Sequence, residues 1–177
     1  NVDETIAAFS HYSGKIVGSA VDVRNPTEFK QWVESVDEQL GGIDIFVANV
    51  TGGASREGQS PWSVATETDI LGTVSGIDAV LPMLKQSEQG AIVYISSMAG
   101  IIGTPQVPAY GAAKAAMTHY MKTLSMMLVS DGIRVNTVAP GDIITAGNVW
   151  DRVREHKPEM FKDVLKRNPR GSLGSPE

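Results

Sequence analysis

A chain of 177 residues with 42% hydrophobic and 20% charged residues has the balance of one ordinary globular domain, which argues against disorder. Its formal charge of -5 gives no global attraction to nucleic acid or anionic lipid, and no apolar run approaches the ~20 residues that span a bilayer. The absence of cysteine excludes disulfides, thiolate metal sites and cysteine nucleophiles; it fits a cytoplasmic protein and equally many secreted ones.

Residues 1–9 place Val2, Ile6 and Phe9 at helical spacing, as if the chain opens inside or just before a helix. A strand is expected over Lys15–Val23. Gly14 and Gly18 imitate a phosphate-binding turn, but strand residues follow them where a helix is needed, so the pair is a decoy. Asn25 as cap, Pro26 in the first turn and Glu28 three residues beyond the cap then open a helix. Its apolar stripe runs through Phe29, Trp32, Val33, Val36 and Leu40, and Gly41-Gly42 ends it. Ile43–Asn49 reads as a second strand, Ser63–Gln86 as a helix disturbed by Pro82, and Ala91–Ser96 as a third strand. Tyr110–Ser130 is a helix stopped by Asp131-Gly132, and Ile133–Ala139 is a fourth strand. Three of the four strands are almost continuously apolar, as strands covered on both faces are. The alternation predicts an α/β fold, a doubly wound parallel sheet in one domain over residues 1–177. Gly147–Leu165 is amphipathic, either a substrate lid or an ordinary surface helix. Ser175-Pro176-Glu177 has the form of a helix start with no helix after it, so both ends look cut.

Tyr110 and Lys114 stand four apart at the start of a helix, which stacks a phenol and an ammonium on one face. A nearby cation favours the phenolate form of a phenol, which suits acid/base work near neutral pH. Ser97 stands at the end of AIVYISS, thirteen residues before Tyr110, at the carboxyl end where parallel sheets bind ligands. The three histidines, His11, His119 and His156, lack metal-ligand spacing, and no metal site is expected. The methionines Met117, Met121, Met126 and Met127 read as helix packing or a subunit contact.

GAIVYISSMAG (90–100), PAYGAAKAAM (108–117), GIRVNTVAPG (132–141), the strand IDIFVAN and Asp22-Val23 occur in an order and spacing that resemble the short-chain dehydrogenase/reductases over nearly the whole chain. The resemblance implies a Rossmann-like sheet, incomplete at both ends here, and hydride transfer between NAD or NADP and a secondary alcohol or ketone. It implies Tyr110 as general acid/base, Lys114 on the phenol and the nicotinamide ribose, and Ser97 on the substrate oxygen. Asp22 and Val23 would meet the adenine, Asn49 would line the cofactor channel, and Pro140, Gly141, Ile143 and Thr145 would hold the carboxamide. It also implies a homodimer or homotetramer through helices 63–86 and 110–130. A nicotinamide-retaining epimerase or dehydratase, or a noncatalytic scaffold on the same fold, are the alternatives.

Two departures stand out. The family's Asn-Asn-Ala-Gly is here Ala48-Asn49-Val50-Thr51, followed by Gly52-Gly53. The family's relay asparagine is here Asp69, before Ile70-Leu71-Gly72. An ionised aspartate only accepts hydrogen bonds, and a carboxylate beside a phenol opposes phenolate formation, so Asp69 in the relay position predicts an upward-shifted pH optimum. The first strand of the family and its glycine-rich turn do not occur in the sequence, so an N-terminal βαβ segment is expected outside it. With the second strand's end also outside the sequence, NAD and NADP are not distinguished.

Overall fold

The computed structural model describes residues 1–53 and 58–176. It divides into two compact units, residues 1–138 and 139–177.

The first unit opens with helix α1 (Val2–Ala8), whose Asn1 cap and Glu4 form a reciprocal capping box. Residues 15–23, expected as a strand, form none. No described strand lies beside this stretch to complete a ladder, so backbone propensity alone does not make it a sheet member. It is nonetheless tied down, because Val21 and Val23 pack on the main core and Lys15 Nζ donates to Gln39 O at 2.7 Å. Helix α2 (Pro26–Leu40) begins and ends as its sequence directs. The Asn25 side chain accepts from Glu28 N, and Gly41 ends it with φ 81°, a left-handed conformation that glycine adopts without strain.

Strand β1 (Ile45–Ala48) leads into one helical run over 61–84. The run is α3 (Pro61–Val64), a π-helical segment (Ala65–Gly72) and α4 (Thr73–Leu84), with Pro82 close enough to the end not to interrupt it. Strand β2 (Ala91–Ile95) follows, then a 3-10 turn (Met98–Gly100), helix α5 (Pro108–Leu128) and strand β3 (Arg134–Val138). Glycine 132, with φ 72°, turns the chain from α5 into β3. The sheet has the order β1-β2-β3, all parallel, with Val47 opposite Val93 and Val93 opposite Asn136. Each neighbouring pair is joined through helix, which is the doubly wound α/β pattern expected from the alternation.

Among the described strands only β2 is covered on both faces, with Ala91 and Ile92 each buried. The expectation of two-sided burial fails for β1, where Ile45 and Val47 are more than half exposed, and for β3, where burial alternates. Side chains alternate across a strand, so Ile45 and Val47 share one face of β1 that is left largely open, while Phe46 and Ala48 share the covered one. The core gathers Ile92 and Tyr94 of β2, Ile77, Val80 and Leu84 of α4, and Met117 and Met121 of α5. Helix α4 approaches closely because Gly76 has no side chain; a Cβ there would stand 3.2 Å from Phe46 and 3.3 Å from Phe29.

The second unit contains α6 (Val149–His156) and α7 (Pro158–Arg167), where one amphipathic stretch over 147–165 was expected. Pro158 separates them, because it starts a new helix more readily than it continues one. Residue Glu177, part of the helix-start signature, lies outside the described residues. Among the described residues no helix is long and apolar enough to cross a membrane.

Candidate active site

Of the expected residues of the first unit, Asn49 and Ser97 lie just beyond the carboxyl ends of parallel strands, while Asp69, Tyr110 and Lys114 lie in helical segments. Asn49 follows the last residue of β1 and is exposed, while Ser97 lies two residues beyond β2 and is half-buried. Ser97 Oγ accepts from Ala99 N at 3.1 Å and so caps the short turn after β2. A hydroxyl that accepts one bond keeps its own proton to donate, which suits a residue that polarises a substrate oxygen. Its neighbour Ser96 is structural. Ser96 Oγ lies 2.7 Å from Thr118 Oγ1 and joins β2 to α5.

The turn carrying Ser97 packs directly on the first part of α5. A Cβ on Gly100 would lie 2.9 Å from the backbone of Lys114 and Ala115, and one on Gly111 would lie 2.8 Å from Ala99 O. Two bare glycines therefore let turn and helix meet backbone to backbone. Tyr110 and Lys114 occupy that same part of the helix. Lys114 Nζ lies 5.6 Å from the Tyr110 ring centroid and 5.0 Å from that of Tyr94.

Lys114 is 2% exposed, unusual for a cation. Nζ donates to Ile95 O at 2.9 Å and stands 3.7 Å from Asp69 Oδ1. Burial pushes the lysine below its ordinary value, while Asp69 pulls it back up. An ammonium has three donors; one goes to Ile95 and one faces Asp69, so a third remains for a ligand hydroxyl. Tyr94 is the wrong phenol for chemistry here. It is 1% exposed, and burial followed by the charge of Asp69 holds its hydroxyl well above the usual phenol range. Tyr110, by contrast, is half-buried.

Asp69 is completely buried in the π-helical segment. Its Oδ1 accepts from Thr51 Oγ1 at 2.5 Å and its Oδ2 from Gly52 N at 3.0 Å. Asp22 is gripped by its own neighbour: Arg24 Nη2 donates to Oδ2 at 2.6 Å and Arg24 Nε to Oδ1 at 2.9 Å. Val23 lies against Gly72, where a Cβ would meet the valine side chain at 3.0 Å.

The family model for short chain dehydrogenase matches residues 1–157. The chain belongs to the short-chain dehydrogenase family. It is 34% identical over 166 residues to isoepoxydon dehydrogenase of Penicillium expansum, covering 93% of this chain and 64% of that protein. It thus spans a little under two thirds of that relative's length. Among solved structures it resembles L-sorbose reductase from Gluconobacter frateurii in complex with NADPH and L-sorbose, with TM-score 0.83 and 26% identity over 99% of this chain and 71% of the other. It also resembles ElxO with NADP bound, with TM-score 0.81 and 26% identity over 98% and 71% of the two chains.

In this short-chain dehydrogenase chain, the structure brings Tyr110, Lys114 and Asp69 into one cluster and sets the Ser97 turn on the same helix. Pro140, Gly141, Ile143 and Thr145 belong to the second unit. There Ile143 bridges to Gly174, Ile144 N donates to Gly174 O at 2.9 Å, and Asn148 N donates to Thr145 O at 3.1 Å. Sequence reading missed Thr51, Tyr94 and the π-helical turn that aims Asp69. Tyr94 had a signal, since it shares the apolar strand with Ser97. Thr51 had none beyond its place in an altered motif.

Proposed function

We propose that the protein is an NAD(P)-dependent oxidoreductase interconverting a secondary alcohol and a ketone, with Tyr110 as general acid/base. The observation that carries this is the phenol and buried ammonium of Tyr110 and Lys114, stacked on one face of α5 against the turn that Ser97 caps. The residues present fit a nicotinamide riboside: Asn49 is exposed at the sheet rim, and Lys114 keeps a donor beyond Ile95 and Asp69. When bound, the cofactor supplies or receives the hydride.

The chain's own groups handle the proton and the oxygen. In reduction, Ser97 Oγ donates to the carbonyl oxygen while the Tyr110 hydroxyl delivers its proton to the same oxygen. In oxidation Tyr110 takes the proton from the alcohol. Lys114 sets its ammonium beside the phenol in both directions, 5.6 Å from the ring centroid, where it faces the charge left after donation. The NADP bound to ElxO and the NADPH bound to L-sorbose reductase support a nicotinamide cofactor here. We propose Asp22 and Val23 as adenine contacts, and Pro140, Gly141, Ile143 and Thr145 as carboxamide contacts. Self-association through the helices over 61–84 and 108–128 is the assembly we propose. It is supported by Met126 and Met127, 79% and 63% exposed near the end of α5.

The test is nicotinamide absorbance with a panel of ketones and alcohols, using full-length protein. Tyr110→Phe is expected to cut kcat by about 100- to 10,000-fold while leaving cofactor binding in place. Wild-type turnover that survives in Tyr110→Phe removes the acid/base assignment.

A further inference from the structure

Two departures from the family pattern, the Val50-Thr51-Gly52 stretch and the aspartate at 69, are separate in sequence and touch in space. The contact is specific in its chemistry. Three donors converge on one buried carboxylate: Thr51 Oγ1 at 2.5 Å and Lys114 Nζ at 3.7 Å on Oδ1, and Gly52 N at 3.0 Å on Oδ2. Thr51 is fixed from its other side, because its Oγ1 accepts from Gly53 N at 3.2 Å. The hydroxyl therefore turns its proton to Asp69.

We propose that Asp69 is a positioning residue, a buried anionic clip that holds the loop after β1 and the Lys114 ammonium in one arrangement. The proposal rests on the reading of Lys114 as the active-site cation.

An acceptor-only group is what this site demands. A carboxylate offers about four lone-pair sites, enough for all three donors. An amide at 69 could keep Gly52 N on its oxygen and donate to Thr51 Oγ1. That would turn its NH2 toward Lys114, strip the threonine proton of its acceptor and leave a buried ammonium with no anion. The two substitutions are then one linked adaptation: the aspartate needs the donors of 51 and 52, and the threonine proton needs the aspartate. Close packing fixes the geometry, since a Cβ on Gly52 would stand only 2.3 Å from the Val64 side chain. Loop and helical run are in contact through that glycine, so movement of the clip moves the loop that begins at Asn49.

The experiment uses full-length wild type, Asp69→Asn, Thr51→Val and the double variant, with two readouts. Thr51→Val keeps the shape of the side chain and removes only its hydroxyl; Thr51 is an exposed residue outside the core, so it decides the matter even where Asp69→Asn folds poorly. The first readout is amide hydrogen exchange at Gly52, expected to speed up by about tenfold or more in either single variant. The second is kcat/KM: each single variant is expected to lose about tenfold, and the double no more than about threefold beyond the worse single, because both remove the same clip. Unchanged exchange at Gly52 in Thr51→Val, or losses that simply multiply in the double, overturns the proposal. A wild type without turnover overturns the oxidoreductase reading instead, and the exchange readout still decides the clip.

Discussion

Replacing Gly100 by alanine tests whether turn and helix are held at the spacing the active site needs. The added Cβ would lie 2.9 Å from Ala115 N and from the Lys114 carbonyl carbon, and 3.0 Å from Lys114 Cβ. Ordinary carbon contacts begin near 3.5 Å, so about half an ångström must open. None of these atoms belongs to the free end of a side chain; they are the backbone and first carbon of a buried helix, so the turn has to yield. Overpacking of this kind costs about 1–3 kcal/mol. At about 2–4 °C per kcal/mol for a protein of this size, the melting temperature falls by about 2–12 °C. The same displacement carries Ser97, three residues before Gly100, away from the first turns of α5. A misplacement near 1 Å costs up to about 100-fold in rate. The assay is thermal denaturation beside kcat/KM, with Gly103→Ala as the control, since a Cβ at 103 meets nothing within 4 Å. If Gly100→Ala melts and turns over like Gly103→Ala, the backbone contact does not set the position of Ser97.

Leu84→Ala removes a side chain with 0% exposure between α4 and the core, and is expected to lower stability by about 2–5 kcal/mol in urea titration. Lys114 binds its proton less tightly folded than unfolded, because burial outweighs Asp69. Its burial therefore weighs against folding at neutral pH, and stability rises as pH climbs from its lowered value toward the ordinary 10.5; Lys114→Met is expected to flatten that rise in a stability–pH series. Burial raises the Asp142 carboxyl above 3.8 despite Arg167, so the folded second unit prefers the neutral acid. That preference is fully present below 3.8 and lost as pH rises through the raised folded value, so Asp142→Asn is expected to melt higher than wild type at neutral pH and alike in acid.

What depends on neighbours in sequence was legible at α2 and along the face of α5, while the Ser60-Pro61 and Pro108 helix starts lie two residues before the expected ones. Asn25, Pro26 and Gly41 mark both ends of α2 because capping uses residues one turn apart. Tyr110 and Lys114 share a face because helical periodicity places residues four apart together. Strands were legible only in part, since a ladder is a property of two segments. Lys15–Val23 has the composition of a strand and forms none, while Ile45–Ala48 pairs with β2 and still exposes Ile45 and Val47. The π-helical segment left no trace in the hydrophobic pattern, because a local change of winding keeps the same apolar residues in nearly the same order.

Asp69 shows where local reading stops and what replaces it. In sequence it is one changed residue in a helix, and its acceptor-only chemistry suggested an effect on the phenol. In the fold its nearest partners are an ammonium from α5 and two donors from the loop after β1, eighteen and seventeen residues away. Burying a carboxylate this completely is tolerable only where donors meet it, so the residue type at 69 constrains residues 51 and 114 together. A change from amide to acid inside a core cannot be judged alone. Its meaning lies in which donors the fold brings to it, and here one of those donors is the cation on which the proposed chemistry depends.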